Sequence, residues 1–216
     1  MQYAHAGTVP GKMSSSIAVK RLGRVAYQPT LKAMQDFTAA RTEDTPDEIW
    51  LLEHPPVYTV GIAGRPEHLP RVDSEVPVVQ VDRGGQITYH GPGQLVAYLL
   101  VDMRRRHLSV RQLVRLMEKA VIALLAAHGV GSEGRTDAPG VYVENAKVAA
   151  LGLRIRRGCC YHGLSLNVDV DLTPFSMIDP CGYPGLTVTR TRDLGIAGGV
   201  EDLSEQLLHH LLELLQ

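Results

Sequence analysis

The stretch that most constrains the fold is Arg83-Gly84-Gly85-Gln86-Ile87-Thr88-Tyr89-His90-Gly91-Pro92-Gly93-Gln94, which runs directly into the apolar, strand-like Leu95–Val101. Gly84, Gly85, Gly91 and Gly93 offer backbone that can take φ > 0 or approach a ligand closely. Arg83 and His90 supply two polar anchors. A glycine-rich loop braced by a strand is where a binding surface is expected. The segment contains no obvious nucleophile, so a reaction would draw its chemistry from elsewhere in the chain.

The rest of the chain follows the same alternation of short apolar runs and turns. Ile17–Tyr27 reads as a first strand, and Pro29-Thr30 opens a helix with Leu31, Met34 and Phe37 at helical spacing. Glu48–Glu53 reads as an alternating strand ending at His54-Pro55-Pro56, followed by extended Val57–Val60. Val76–Val81 and Gln86–Tyr89 are further strands. Ser109 caps a long amphipathic helix whose stripe is Leu113, Leu116, Met117, Ala120, Leu124 and Leu125, ending at His128-Gly129. Tyr142–Val143 and Val148–Leu153 read as strands joined through Glu144-Asn145, Tyr161–Val168 as another, and Leu203–Leu215 as a closing helix. Only three clear helices interleave with these strands, which argues for an α+β sheet domain over a doubly wound βαβ repeat.

At 216 residues and 44% hydrophobic, the chain can bury one substantial core. The expectation is a single catalytic domain over residues 17–216, with residues 1–16 a disordered N-terminal extension lacking signal-peptide character. A net charge of −1 gives no global pull toward nucleic acid or membrane. No apolar run approaches the ~20 residues of a membrane helix. Three cysteines are too few for a disulfide scaffold, so a reducing cytoplasm is the default.

Cys181 lies in the loop Asp179-Pro180-Cys181-Gly182-Tyr183-Pro184-Gly185. It is either a small buried hydrophobe or a nucleophile that takes its positive neighbour from elsewhere in the fold. Lys147 is the best candidate partner, although spacing alone favours a solvent-facing strand end. Cys159 and Cys160 are expected on opposite strand faces, unbridged. A zinc site from Cys159 or Cys160 with His162 and Cys181 matches no common spacing. His90 and His162 are each either structural rings or site groups. No G-x-S-x-G elbow and no P-loop appear. Arg104-Arg105-Arg106 and Arg154, Arg156, Arg157 are solvated faces or steering patches for an acidic partner.

Three separated motifs carry a resemblance to the lipoate-protein octanoyltransferases (octanoyl-acyl carrier protein:protein N-octanoyltransferases). They are Arg83–Gln94; Lys147–Arg154 followed by Gly158–Val168; and Asp171–Phe175 leading to Asp179-Pro180-Cys181-Gly182. The resemblance spans roughly Ile49 to the end. It implies a mixed, largely antiparallel sheet with packed helices, biotin/lipoate protein ligase-like. It places the family's nucleophile on Cys181 and the lysine that tunes it on Lys147. Substrate contacts fall on Arg83, Gly84, Gly85, Gln86, Ile87, Thr88, Tyr89 and His90, on Ala150, Leu151 and Gly152, and on Gly163, Leu164 and Ser165.

The activity implied is octanoyl transfer without cofactor or metal. Cys181 would take the acyl group from octanoyl-acyl carrier protein as a thioester. A lysine ε-amine would then receive it on lipoyl domains of 2-oxoacid dehydrogenase E2 subunits or the glycine cleavage H protein. Gly84, Gly85, Gly152 and Gly163 are expected to leave room for the acyl chain, each buried methylene contributing ~0.8 kcal/mol. The rivals are an ATP-dependent lipoate or biotin protein ligase on the same fold, a non-enzymatic binding module for an acyl-carrier or lipoyl domain, and a cysteine hydrolase using His90 or His162.

Overall fold

The computed structural model describes residues 16–70, 75–136, 138–179 and 185–216. Strands β1 (Ile17–Arg24), β2 (Asp47–Glu53), β6 (Gln94–Asp102), β7 (Glu133–Gly134), β8 (Gly140–Val143), β9 (Ala146–Arg156) and β10 (Cys159–Asn167) form one sheet, in the order β1-β2-β6-β10-β9-β8-β7. The β1–β2 pair is parallel and the other pairs are antiparallel. A second sheet, β4-β3-β5, is built from β3 (Val57–Val60), β4 (Val78–Gln80) and β5 (Ile87–His90). The α+β expectation is met, with a largely antiparallel sheet and few helices.

Side-chain alternation sends successive residues of β6 to opposite layers. Leu95, Ala97, Leu99 and Val101 pack with Leu113, Met117, Val121 and Leu124 of α2 (Val110–Ala127), and with Leu203, Leu207 and Leu211 of α4 (Val200–Leu214). Val96, Tyr98 and Leu100 face the other way, toward Met34 of α1 (Tyr27–Ala40). β2 divides likewise, with Ile49 and Leu51 on the α2/α4 side and Trp50 and Leu52 on the α1 side. Cover on both faces is why β2 is buried from Asp47 to Leu52 and is not the half-exposed alternating strand its sequence suggests.

Ser109 caps α2 through a capping box: its hydroxyl accepts from the Gln112 amide while the Gln112 side chain accepts from the Ser109 amide. The Glu144-Asn145 turn joins β8 to β9 with both residues at positive φ, as a two-residue hairpin requires. Asp47 is sealed between Arg41, Arg105 and Arg106 at 2.5, 2.6 and 2.5 Å. Arg106 also donates to the Leu215 carbonyl, so one buried carboxylate ties β2 to the end of α4. Two boundaries differ from the sequence reading. Tyr27 opens α1 and does not close the first strand, and a short helix, α3 (Thr173–Ser176), follows β10. The expected N-terminal extension lies, but for Ser16, outside the described residues.

Candidate active site

The second sheet lies across the α1-side face of the main sheet and leaves a cavity between them. The empty space between the sheets is about 490 Å3 including its open mouth, of which only about 50 Å3 is enclosed room. Three registered strands order its floor. Tyr98, Gly163 and Gly152 lie abreast on β6, β10 and β9, and Val96, Ser165 and Ala150 lie abreast two residues along. Past that row a smaller hollow begins, bordered by Gln94, Asn167, Lys147, Phe175 and Val188; Thr88, Ala150 and Ser165 border both spaces. The long axis therefore follows the strands, with Lys147 at one end and Tyr98 and His162 at the other.

Lys147 is only 3% exposed, which overturns the solvent-facing reading taken from spacing. A segment some forty residues later covers it. The Lys147 amide donates to Thr187 O at 2.9 Å, its carbonyl accepts from the Thr189 amide at 3.0 Å, and Val188 forms a bridge beside it. Its Nζ lies 3.3 Å from the Pro139 carbonyl and 5.2 Å from the Tyr142 ring centroid. Cys181 falls outside the described residues. Of the described residues flanking it in sequence, Phe175 and Val188 border the Lys147 hollow, while Asp179 pairs with His68 at 3.3 Å.

The second sheet and its preceding loop form the roof. Arg83 donates to Thr59 O and Thr59 Oγ1 at 2.7 and 2.9 Å, fastening the loop to β3. The Gly84 amide donates to Leu153 O at 2.8 Å, fastening it to β9. Of the expected substrate contacts, Arg83, Gly85, Gln86, Ile87, Thr88 and His90 border the cavity, as do Ala150, Leu151, Gly152, Gly163, Leu164 and Ser165. Gly84 and Tyr89 do not. Tyr89 turns away to pack with Tyr58 and Phe175. Leu151 and Leu164 reach the rim but pack into the α2/α4 core.

Of the glycines expected to leave room, Gly152 and Gly163 are already used in packing. A Cβ on Gly152 would lie 3.1 Å from the Arg83 side chain and 3.2 Å from Gly84 O, and one on Gly163 would strike Ala97 O at 2.1 Å. Their missing side chains let backbones approach each other. Gly85 and Gly93 do take positive φ, both at 83°, whereas Gly84 and Gly91 do not.

Tyr27, Val96, Tyr98 and His162 also line the cavity, outside the stretches expected to contact substrate. His162 has φ 63°, a strained conformation for a residue with a side chain. Tyr161 and His162 leave the pairing with β6, while Cys160–Val101 and Gly163–Tyr98 keep one register. The turn brings the consecutive Tyr161 and His162 rings into a stack 5.0 Å apart. No composition or spacing signal encodes that rotation. Cys160 points to the opposite face and donates its thiol to Leu99 O at 3.2 Å, so the Cys160–His162 part of a zinc constellation does not assemble. Cys159 and Cys160 are both free thiols.

Carbonyl partners fix the histidine tautomers. His54 Nδ1–H donates to Val25 O at 2.7 Å, so its Nε2 accepts from the Tyr98 hydroxyl at 2.8 Å. Burial pushes His54 down to about 4. His90 Nδ1–H donates to Gln94 Oε1 at 2.7 Å; burial, reinforced by His54, pushes it down to about 3. Both rings are neutral at physiological pH, and His90 is committed to holding Gln94. Gln94 Nε2 in turn donates to Asn167 Oδ1 at 2.9 Å, and Asn167 Nδ2 to Thr189 O at 3.0 Å. A buried chain of bonds thus links the cavity wall to the segment that covers Lys147. His162 Nε2–H donates to Asp82 Oδ1 at 3.0 Å, and Tyr161 donates to the same carboxylate. Partial burial works against ionisation of Asp82, but the His162 and Tyr161 bonds prevail and hold it well below the usual range. Burial nonetheless lowers His162.

Residues 26–212 match the family described as lipoyl protein ligase A/B catalytic domain. An octanoyltransferase of Azoarcus sp. (strain BH72) is 64% identical over 203 residues, covering 94% of this chain and 89% of that protein. An octanoyltransferase of Dechloromonas aromatica (strain RCB) is 62% identical over 197 residues, covering 91% and 96%. A crystal structure of lipoate-protein ligase A bound with ATP aligns with a TM-score of 0.73 at 14% identity, covering 92% of this chain and 85% of that one. Biotin protein ligase from Aquifex aeolicus, in complex with biotin and ATP, aligns with a TM-score of 0.59 at 12% identity, covering 92% and 70%. These structural likenesses speak to the fold.

Proposed function

The chain is an octanoyltransferase belonging to the lipoyl protein ligase A/B catalytic-domain family, and we propose that it moves octanoyl from octanoyl-acyl carrier protein to lipoyl-domain lysines through a thioester on Cys181. The observation that carries the proposal is the cavity that follows β9 and β10 to a buried lysine, whose hollow is bordered by Phe175 and Val188 on either side of Cys181 in the sequence. The acyl chain lies along the strands, its methyl end toward Gly152 and Tyr98 and its carbonyl toward Lys147. Val96, Ala150 and Ile87 supply apolar wall. Burial in that space contributes ~0.8 kcal/mol per methylene.

The Cys181 thiolate attacks the thioester carbonyl and the carrier leaves as a thiol. Buried Lys147 stabilises the thiolate, then moves the proton released as the incoming ε-amine attacks the acyl-enzyme and forms an amide. Thioester-to-amide transfer is downhill and requires no nucleotide. The acceptors are lipoyl domains of 2-oxoacid dehydrogenase E2 subunits and the glycine cleavage H protein, in the cytoplasm. Mixing with octanoyl-acyl carrier protein in the absence of ATP is expected to add one octanoyl mass, seen by intact-mass spectrometry and mapped to Cys181. No adduct, or an adduct that survives in Cys181→Ala, overturns the proposal.

A further inference from the structure

Ser165 and Thr88 place two hydroxyls where the acyl cavity narrows into the Lys147 hollow, and both residues border both spaces. Ser165 is 5% exposed and lies on the cavity face of β10 between Gly163 and Asn167. Among the described residues neither hydroxyl has a hydrogen-bond partner, and neither oxygen is fully buried, so both can reach a ligand or water at this wall. Their polar neighbours are occupied: Asn167 is engaged with Gln94 and Thr189, and His90 with Gln94. A hydroxyl in an enclosed wall that makes no bond within the fold costs stability unless a ligand or water completes it. Packing gives no reason for two of them at one narrowing.

The reaction gives one. On the acyl-enzyme reading the carbonyl lies where the acyl cavity meets the Lys147 hollow, and that junction is bordered by Ser165, Thr88 and Ala150. Among the side chains at the junction, Ala150 brings no donor, and the two hydroxyls remain. We propose that the Ser165 and Thr88 hydroxyls form the oxyanion-stabilising pair of this transferase, a catalytic role that rests on the acyl-enzyme reading above. When the thiolate bonds to the carbonyl carbon, the C=O π pair moves onto oxygen, and the two O–H groups donate to it without transferring a proton. Collapse restores C=O and expels the carrier sulfur. In the second half-reaction the same oxygen is held while the amine adds and the Cys181 sulfur leaves. Donors aimed at developing charge act mainly in the transition state.

Ser165→Ala and Thr88→Val are each expected to lower kcat on the order of 10²-fold at unchanged KM, whereas Thr88→Ser retains the hydroxyl and stays near the parent rate. An octanoyl thioether, which has no carbonyl oxygen, should bind the parent, Ser165→Ala and Thr88→Val equally. Thermal melts of each variant establish that it is folded. Parent-like kcat in both variants overturns the assignment, and so does a loss of thioether affinity matching the loss of kcat/KM, which would make these residues packing groups. Intact mass of the parent enzyme separates the two levels. No Cys181 adduct in the parent removes the acyl-enzyme reading and this assignment together. A parent adduct that forms equally fast in both variants removes the oxyanion assignment alone.

Discussion

The two faces of the seven-stranded sheet are made from alternate residues of the same strands, yet they are chemically unlike. Toward α2 and α4, β6 and β10 present Leu95, Ala97, Leu99, Val101, Leu164 and Leu166, all in one apolar cluster. Toward α1 and the second sheet they present Tyr98, His162, Ser165, Gln94 and Asn167, joined in part by buried hydrogen bonds. The first face holds the domain together by area removed from water, which is non-directional. The second fixes the orientation of polar groups, at the desolvation cost that buried polar atoms always carry. A pleat separates stability from chemistry with a period of two residues, so substitutions one position apart should fail in different ways.

The largest effect is expected at the reacting end. Lys147→Met removes the amine from a site 3% exposed while keeping an unbranched side chain. We expect acyl transfer to fall by on the order of 10²–10⁴-fold, with no fall in melting temperature, because an apolar side chain meets no desolvation penalty there. A parallel loss of both activity and stability would place Lys147 with the core and blur the distinction between the faces. On the opposite face, Leu99→Ala empties a fully buried position and should cost about 2–5 kcal/mol in denaturant titration. Activity per folded molecule should be unchanged. A Leu99→Ala enzyme that is stable but inactive would break the comparison from the other side.

Sequence patterns made one face legible and hid much of the other. The Leu95–Val101 run, the α2 stripe, the Ser109 cap and the Glu144-Asn145 turn are local signals, and each appears in the fold as expected. The separation of β3, β4 and β5 into their own sheet was not legible, because pairing partners are chosen by tertiary packing. Lys147 opens a strand and so resembles a solvated end, but the 187–189 segment returns to cover it. The sequence does not decide the face His162 takes, because a single backbone rotation fixes it. The glycine motif borders the cavity as its roof, whereas Gly152 and Gly163, expected to leave room for a chain, are taken up by packing, since whether an absent Cβ admits a ligand or another backbone depends on what lies opposite.

A graded effect is expected from pH, and it belongs to the cavity face alone. Burial holds His54 down to about 4 and His90 down to about 3, against an ordinary value of 6.5. Both rings therefore bind protons more readily in the unfolded chain. Their contribution to stability is complete above pH 6.5 and is lost as pH falls from 6.5 toward those folded values. The slope approaches ~1.4 kcal/mol per pH unit for each ring once the unfolded ring is protonated, so moving from pH 6.5 to 5 should remove about 3 kcal/mol from the pair. His162, lowered in the same direction, adds to the trend. The carboxylates Asp47 and Asp82 do not contribute over this interval, since both are held below 3.8 and lose stability only in stronger acid. Urea midpoints measured across pH 5–7.5 test this directly. The combined His54→Gln and His90→Asn substitutions should flatten the curve, whereas Leu99→Ala should lower the whole curve and leave its slope intact. If Leu99→Ala changes the slope as much as the histidine substitutions do, the two faces do not unfold as separable contributors, and the division of roles by the pleat is wrong.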